Sequence, residues 1–327
     1  MRSFSYVVAR DPDDAVREAR QTSGASFIAG GTDLLNLMKD GVQQPPRLID
    51  VNGLGLAGIT ESSTGLRIGG LARMRHVAEH PAVRNRFPVL AEALLASASP
   101  QVRNMAAIGG NLLQRNRCGY FRDTVAVCNK RVPGSGCSAL EGWNRGHAVL
   151  GGSESCIATH PSDLAVALTA LDATVHVLGP DGVRRIPIGE FYRRPGSTPH
   201  VETALRPAEL ITAVEVPRHP VAARSRYLKL RDRATFEFAV VSVAAAVDLR
   251  GRFVRDIRLA FGGIATTPWR SAEAEAELRG KELTVARIEQ AGRALVRDAK
   301  PRPDNEFKVE LVQRALAELL SDLGGVR

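Results

Sequence analysis

Four cysteines, Cys118, Cys128, Cys137 and Cys156, fall within one stretch of a 327-residue chain that has no others. Independent core cysteines would scatter, so the clustering is a signal. The surrounding sequence is poor in apolar periodicity and rich in glycine, arginine and asparagine, as in Cys128-Asn129-Lys130-Arg131-Val132-Pro133-Gly134-Ser135-Gly136-Cys137. Such a segment buries too little apolar surface to offset the entropy lost on ordering it, so a covalent or metal cross-link is physically wanted. Three cross-links compete. Two disulfides require an oxidising compartment, which the N-terminus Met1-Arg2-Ser3-Phe4 does not advertise, since no apolar signal core follows it. Structural zinc usually shows paired C-x2-4-C ligands, and no CxxC exists here. A [4Fe–4S] cluster takes four thiolates and tolerates wide spacing. The residues alone leave the three open.

The rest of the chain needs no staple. Its length suffices for two or three compact domains, and 44% hydrophobic with 24% charged residues describes an ordinary globular protein. The net charge of +9 comes from dispersed arginines without a run of like charges, and aromatics are only 5%, so a nucleic-acid partner is not expected. No apolar run reaches the ~18 residues of a membrane span, so no membrane insertion is expected.

Along the chain, strands over residues 4–7, 25–29 and 47–51 alternate with helical sequence opened by Asp11-Pro12 and by Leu34, Leu35, Leu37 and Met38, a small α/β unit. Short strands at 58–60 and 66–68 follow, then a helix carrying Val89, Leu90, Ala93 and Leu94. Pro161-Ser162-Asp163 opens another helix, and Gly179-Pro180-Asp181-Gly182 turns a hairpin. A strand at 209–216 precedes Pro217 and Pro220. Beyond them come strands at 225–231, 236–248 and 254–261, then helices over 285–296 and 307–323. The predicted domains are 1–53, 54–217 and 218–327.

Two glycine turns stand out: Ala29-Gly30-Gly31-Thr32-Asp33-Leu34 and Ile108-Gly109-Gly110-Asn111-Leu112. Consecutive glycines after a strand let backbone N–H groups approach a phosphate, and a helix starting there adds its positive end. A lone pair is weak evidence; two in an α/β chain suggest a dinucleotide. There is no G-x-G-x-x-G, Walker A loop, H-E-x-x-H or G-x-S-x-G, so a hydrolase or phosphotransferase has no visible machinery. By default His147 and His160 are exposed or hydrogen-bonded, Asp163 belongs to a helix cap, and Lys229 faces solvent.

The two glycine strings, the second extended to Val102-Arg103-Asn104-Met105-Ala106-Ala107-Ile108-Gly109-Gly110-Asn111-Leu112, resemble the FAD-binding middle subunit of the molybdenum hydroxylases, the xanthine dehydrogenase and aldehyde oxidoreductase family. The resemblance runs end to end. It implies an α+β chain: a two-part α/β FAD-binding domain of the PCMH type, then a C-terminal α+β domain of antiparallel strands with helices. It implies that Ile28, Ala29, Gly30, Gly31, Thr32, Asp33 and Leu34 form one FAD segment and Ala107, Ile108, Gly109, Gly110 and Asn111 the second. It also implies that Asp163 contacts the flavin cofactor, that Lys229 in Tyr227-Leu228-Lys229-Leu230 reaches the isoalloxazine ring, and that Arg226 lies on the cofactor side.

In ordinary members the Pro-x-x-Asp-like helix start follows the second glycine loop closely, whereas Pro161-Ser162-Asp163 comes far later here. The difference is an insertion over about residues 113–158 holding all four cysteines. It resembles the middle subunits with an extra [4Fe–4S] cluster, those of periplasmic aldehyde oxidoreductases above all, through Arg117-Cys118-Gly119-Tyr120-Phe121-Arg122 and Cys128-Asn129-Lys130-Arg131. Cys118, Cys128, Cys137 and Cys156 are then its ligands. The implied function is electron transfer through FAD in a heterotrimer with a molybdenum-cofactor large subunit and a [2Fe–2S] small subunit. No catalytic acid–base residue is expected. A partner's signal would export the folded complex to the periplasm, with the cytoplasm as the other location. A stand-alone flavin oxidoreductase and a zinc-binding scaffold without flavin are the rival readings.

Overall fold

Three separate sheets divide the strands. The computed structural model describes residues 1–326. In the first sheet, β1 (Ser5–Val8), β2 (Ser26–Ile28) and β3 (Arg47–Asp50) are parallel in the order β1-β3-β2. Parallel neighbours need crossovers, which the helices Pro12–Gln21 and Leu34–Lys39 provide. The first starts where the sequence predicts: the Asp11 carboxylate accepts the Asp14 N–H at 2.7 Å, and Pro12 occupies a first-turn position that needs no N–H. The end of β2 therefore delivers residues 29–33 to the carboxyl edge of a parallel sheet, where α/β folds present ligand loops.

The second sheet is antiparallel, ordered β4-β5-β8-β6-β7, from β4 (Ile59–Glu61), β5 (Gly65–Gly69), β6 (Thr174–Gly179), β7 (Gly182–Pro187) and β8 (Leu210–Pro217). Its core is shared with the helices Pro88–Ala96 and Asp163–Ala170. Every residue of the latter is buried, which explains why its sequence is apolar all round rather than striped. The third sheet runs β12-β11-β10-β9, from β9 (Ser225–Leu230), β10 (Val241–Arg250), β11 (Phe253–Gly262) and the two-residue β12 (Trp269–Arg270). The helices Val285–Leu295 and Phe307–Gly324 cover it, placing Ile288, Val312, Leu316 and Leu320 against β10 and β11. Strands come first and helices after, as the sequence predicts.

One strand starts later than predicted. The apolar run from Phe236 suggests a strand over 236–248, but β10 begins at Val241, which pairs with Leu230. β9 and β10 are antiparallel neighbours, so the chain between them must reverse, and Phe236 takes a left-handed φ of 53° to do so. Phe236 and Phe238 consequently stand exposed in the turn. The short helices Met74–Glu79, Pro81–Arg86 and Pro100–Met105 were not anticipated either, being too short to show a period.

The insertion has no sheet of its own and is fastened at both ends. Phe121 is buried beside Leu37 of the Leu34–Lys39 helix and Cys128. At the far end Leu150 bridges to Ala265, and the Val149 and Leu150 N–H groups donate to the Ile264 carbonyl at 2.8 and 3.0 Å. Arg131 replaces absent ladders by donating to the carbonyls of Tyr120, Phe121 and Ala126. Lys308, wholly buried in the first turn of the Phe307–Gly324 helix, donates to the carbonyls of His147 at 3.0 Å and Gly263 at 2.6 Å.

Burial, with Arg145 as a second cause, lowers the Lys308 ammonium to about 7. Lys308 thus holds its proton more weakly folded than unfolded, and its charge opposes folding below pH 7. That opposition fades as pH rises from about 7 towards the unfolded lysine range near 10.4. Urea unfolding should therefore show the wild type gaining stability relative to Lys308→Met between pH 7 and 10; parallel pH profiles would contradict this.

Candidate cofactor-binding site

The two glycine corners lie against each other. Gly30 touches the second segment so closely that a Cβ there would run into the Met105 carbonyl. Arg73 ties the pair together, donating to the Met105 carbonyl and, at 2.8 Å, to Asn52, whose amide donates to the Ala29 carbonyl at 3.1 Å. Gly31 has a φ of 68°, a conformation that favours glycine and turns the chain from Ile28 at the end of β2 towards Leu34 at the helix start. Among the described residues, the N–H groups of Gly30, Gly31 and Thr32 reach no acceptor. Three consecutive free donors can bind an anion such as a pyrophosphate.

The second corner divides its labour. Ala107 and Ile108 are buried, and Gly109 is packed, its N–H on the Gly70 carbonyl at 2.8 Å and any Cβ pressed against Ile211. A Cβ at Gly110 would meet nothing within 4 Å, so open space lies beside the corner there. Asn111 is buried and accepts the Ser162 hydroxyl at 2.6 Å.

Ser162, not Asp163, caps the following helix through the Ala165 N–H. The Asp163 carboxylate instead accepts Lys229 Nζ at 2.8 Å, the Ser97 hydroxyl at 2.8 Å and the Tyr227 hydroxyl at 2.7 Å. The side chains of Lys229 and Asp163 are only 3% and 5% exposed, so the default readings of a solvent-facing lysine and a capping aspartate are both corrected. Strand alternation explains it: Tyr227 and Lys229 share the inner face of β9. Arg226 takes the other face, pairing with Glu92 and Asp322, and lies apart from this group. Sequence reasoning missed Tyr227, which its two-residue spacing from Lys229 could have revealed, and Ser97, for which no local signal exists.

Asp33 does not face the open corner. Its carboxylate accepts the Arg115 N–H at 2.8 Å and pairs with Arg117 at 2.9 Å and Arg122 at 3.2 Å, so the first glycine loop is roped to the insertion.

The four cysteines are free thiols that line one small cavity together with Asn116 and Phe121. Cys128 and Cys137 face each other across an antiparallel bridge, made possible by Gly134 and Gly136 at φ 85° and 105°. Burial pushes the Cys118 thiol up to about 12 and raises that of Cys156. His147 is buried rather than exposed, with Nε2 at 3.2 Å from Cys118 Sγ; burial and then Lys308 lower it to about 4. No group of three or more His, Cys, Asp or Glu side chains among the described residues is close enough to hold a single metal ion.

Residues 2–219 match the family described as the FAD binding domain in molybdopterin dehydrogenase, and residues 226–323 the CO dehydrogenase flavoprotein C-terminal domain. The chain belongs to the FAD-binding medium subunits of the molybdenum hydroxylases. It is an oxidoreductase subunit of the aldehyde oxidoreductase and xanthine dehydrogenase family. Relatives of this medium subunit include the aldehyde oxidoreductase FAD-binding subunit PaoB of Escherichia coli (strain K12), 49% identical over 98% of both chains. The glyceraldehyde dehydrogenase medium chain of Sulfolobus acidocaldarius is 29% identical over 86% of this chain and 82% of its own. Among solved structures, carbon monoxide dehydrogenase from Hydrogenophaga pseudoflava superposes with a TM-score of 0.77 at 26% identity, covering 98% of this chain and 96% of that one. No helix among the described residues is long and apolar enough to cross a membrane.

The glycine corners fit FAD by their free donors and open space, and Ser162, the residue before Asp163, joins the Asp163–Lys229 pair to Asn111 of the second corner. Removing one member of that pair leaves a buried charge without its counter-charge. Lys229→Met should lower the unfolding free energy by about 3–5 kcal/mol. Adding Asp163→Asn should recover part of the loss; additive losses in urea unfolding would show that the two groups act independently.

Proposed function

We propose that this medium subunit holds FAD where electrons from a [2Fe–2S] small subunit reach it and leave for a terminal acceptor, in a heterotrimer whose molybdenum-cofactor large subunit oxidises an aldehyde or aromatic heterocycle. The observation that carries the reading is the row of unpaired N–H groups at Gly30, Gly31 and Thr32 packed against the second corner at Ala107 to Asn111. Likeness to an aldehyde oxidoreductase FAD-binding subunit over nearly the whole chain supports the aldehyde branch. Bound FAD supplies two-electron acceptance and one-electron release. The chain's own residues bind and orient: both corners grip the pyrophosphate, and Lys229, held by the Asp163 carboxylate and the Ala96 carbonyl, sets a fixed positive charge beside the ring, favouring its electron-rich form. The proposed divisions fall at residues 53 and 217, so the ring would lie where the second and third units meet. Assembly places the complex in the periplasm through a partner's signal, or in the cytoplasm.

A [4Fe–4S] cluster on Cys118, Cys128, Cys137 and Cys156 completes the proposal. Four free sulfurs lining one cavity support it, since a cubane is held by four thiolates. The insertion's attachments at both ends favour a structural clip, with the cluster joining loops that no core holds.

Visible spectra and metal analysis of the purified protein test both parts: bound flavin with iron and sulfide is expected, and a colourless or zinc-bearing protein would refute the reading. Cys137→Ser should lose the iron–sulfur absorbance and weaken the insertion against proteolysis while FAD remains bound. Full retention of iron and sulfide in that variant would remove Cys137 from the ligand set.

A further inference from the structure

The wall of the four-cysteine cavity contains few polar side chains, and most of them are paired. Lys130 is committed to Glu202 at 2.7 Å and the Pro199 carbonyl at 3.0 Å. Asn129 donates to the Ser155 carbonyl and accepts the Gly136 N–H, Ser138 donates to the Val127 carbonyl, and the Tyr120 hydroxyl accepts the Trp143 N–H. Asn116 differs. It is 4% exposed, its Oδ1 accepts the Cys118 N–H at 3.0 Å, and its Nδ2 lies buried with no partner. With the amide oxygen fixed on Cys118, the nitrogen is the group left over, and it belongs to a residue lining the cavity. A buried N–H without an acceptor is costly, so such a donor implies a ligand that accepts it.

A second side-chain donor, on His147, reaches Cys118 itself. His147 Nε2 sits 3.2 Å from Cys118 Sγ, and its main chain is pinned by Lys308 Nζ and by Asn305 Nδ2 on its carbonyl. A metal-bound thiolate carries no proton and only accepts, so Nε2 holds the hydrogen in that state.

We infer that Asn116 and His147 are positioning residues that set the reduction potential of the cluster by donating N–H···S hydrogen bonds at its Cys118 corner; the inference rests on the cluster reading above. A four-thiolate cluster is anionic and gains one further negative charge on reduction. Hydrogen bonds to its sulfurs favour the reduced form, and more strongly in a buried site than in water. Lys308 and Asn305 act at one remove, by fixing the loop that presents His147.

The test uses the purified complex, with iron and sulfide content measured beside an EPR-monitored redox titration. Asn116→Leu and His147→Leu should keep iron and sulfide at the wild-type level and each lower the cluster potential by about 59 mV, a tenfold change in the one-electron equilibrium. His147→Gln, which keeps an N–H donor, should stay near the wild type. Asn116→Asp, which loses the donor and adds a negative charge, should fall below Asn116→Leu. Iron-loaded variants with wild-type potentials would overturn the inference. If the leucine variants lose iron, His147→Gln and Asn116→Asp decide: equal potentials in the two, both at the wild-type value, also overturn it. A wild type without iron and sulfide would instead refute the cluster itself, a separate outcome read from the metal analysis.

Discussion

The ion pair between Lys229 and Asp163 is the interaction on which the rest of the arrangement hangs. Two charges removed from water cost several kcal/mol each unless their mutual attraction and added hydrogen bonds offset it. The Ser97 and Tyr227 hydroxyls supply those bonds, so four side chains from a loop, a helix start and β9 must meet at one point. That requirement fixes the third sheet against the helix Asp163–Ala170. Ser162, the residue before the aspartate, carries the constraint onward to Asn111 and so to the second glycine corner, which is packed in turn against the first. The lysine proposed to lie beside the ring and the cradle proposed for the phosphates are thus joined through one buried polar network.

The insertion answers a different constraint. It has no apolar core large enough to order itself, and it borrows order from its neighbours instead. Phe121 enters the first unit beside Leu37, Leu150 joins the third through Ala265, and Arg117 and Arg122 hold Asp33 of the glycine loop. Much of the basic character of this segment is consumed internally. Arg131 knits three carbonyls of its own lobe, and Lys130 meets Glu202, so the positive charge is structural glue before it is a surface property.

The sequence showed what is local. Asp11-Pro12 starts a helix because a carboxylate and a proline satisfy its first turn, and the Gly179 to Gly182 turn closes a hairpin. The glycine corners were legible because few other residues permit such close approach. The resemblance supplied Asp163 and Lys229, which periodicity alone would have left as a cap and a solvent-facing side chain. What stayed hidden depends on contacts distant in the chain: Ser97 on Asp163, Asn116 and His147 near Cys118, Lys308 against the insertion. The late start of β10 was hidden too, because an apolar run does not disclose that its first residues must turn the chain.

A crystal structure of the chain with FAD bound tests the central claim most directly. The account predicts the pyrophosphate on the N–H groups of Gly30 to Thr32 and beside Gly110, with the isoalloxazine ring against the Lys229–Asp163 pair. Phosphates held elsewhere, or a ring remote from that pair while the corners stay empty, would contradict it.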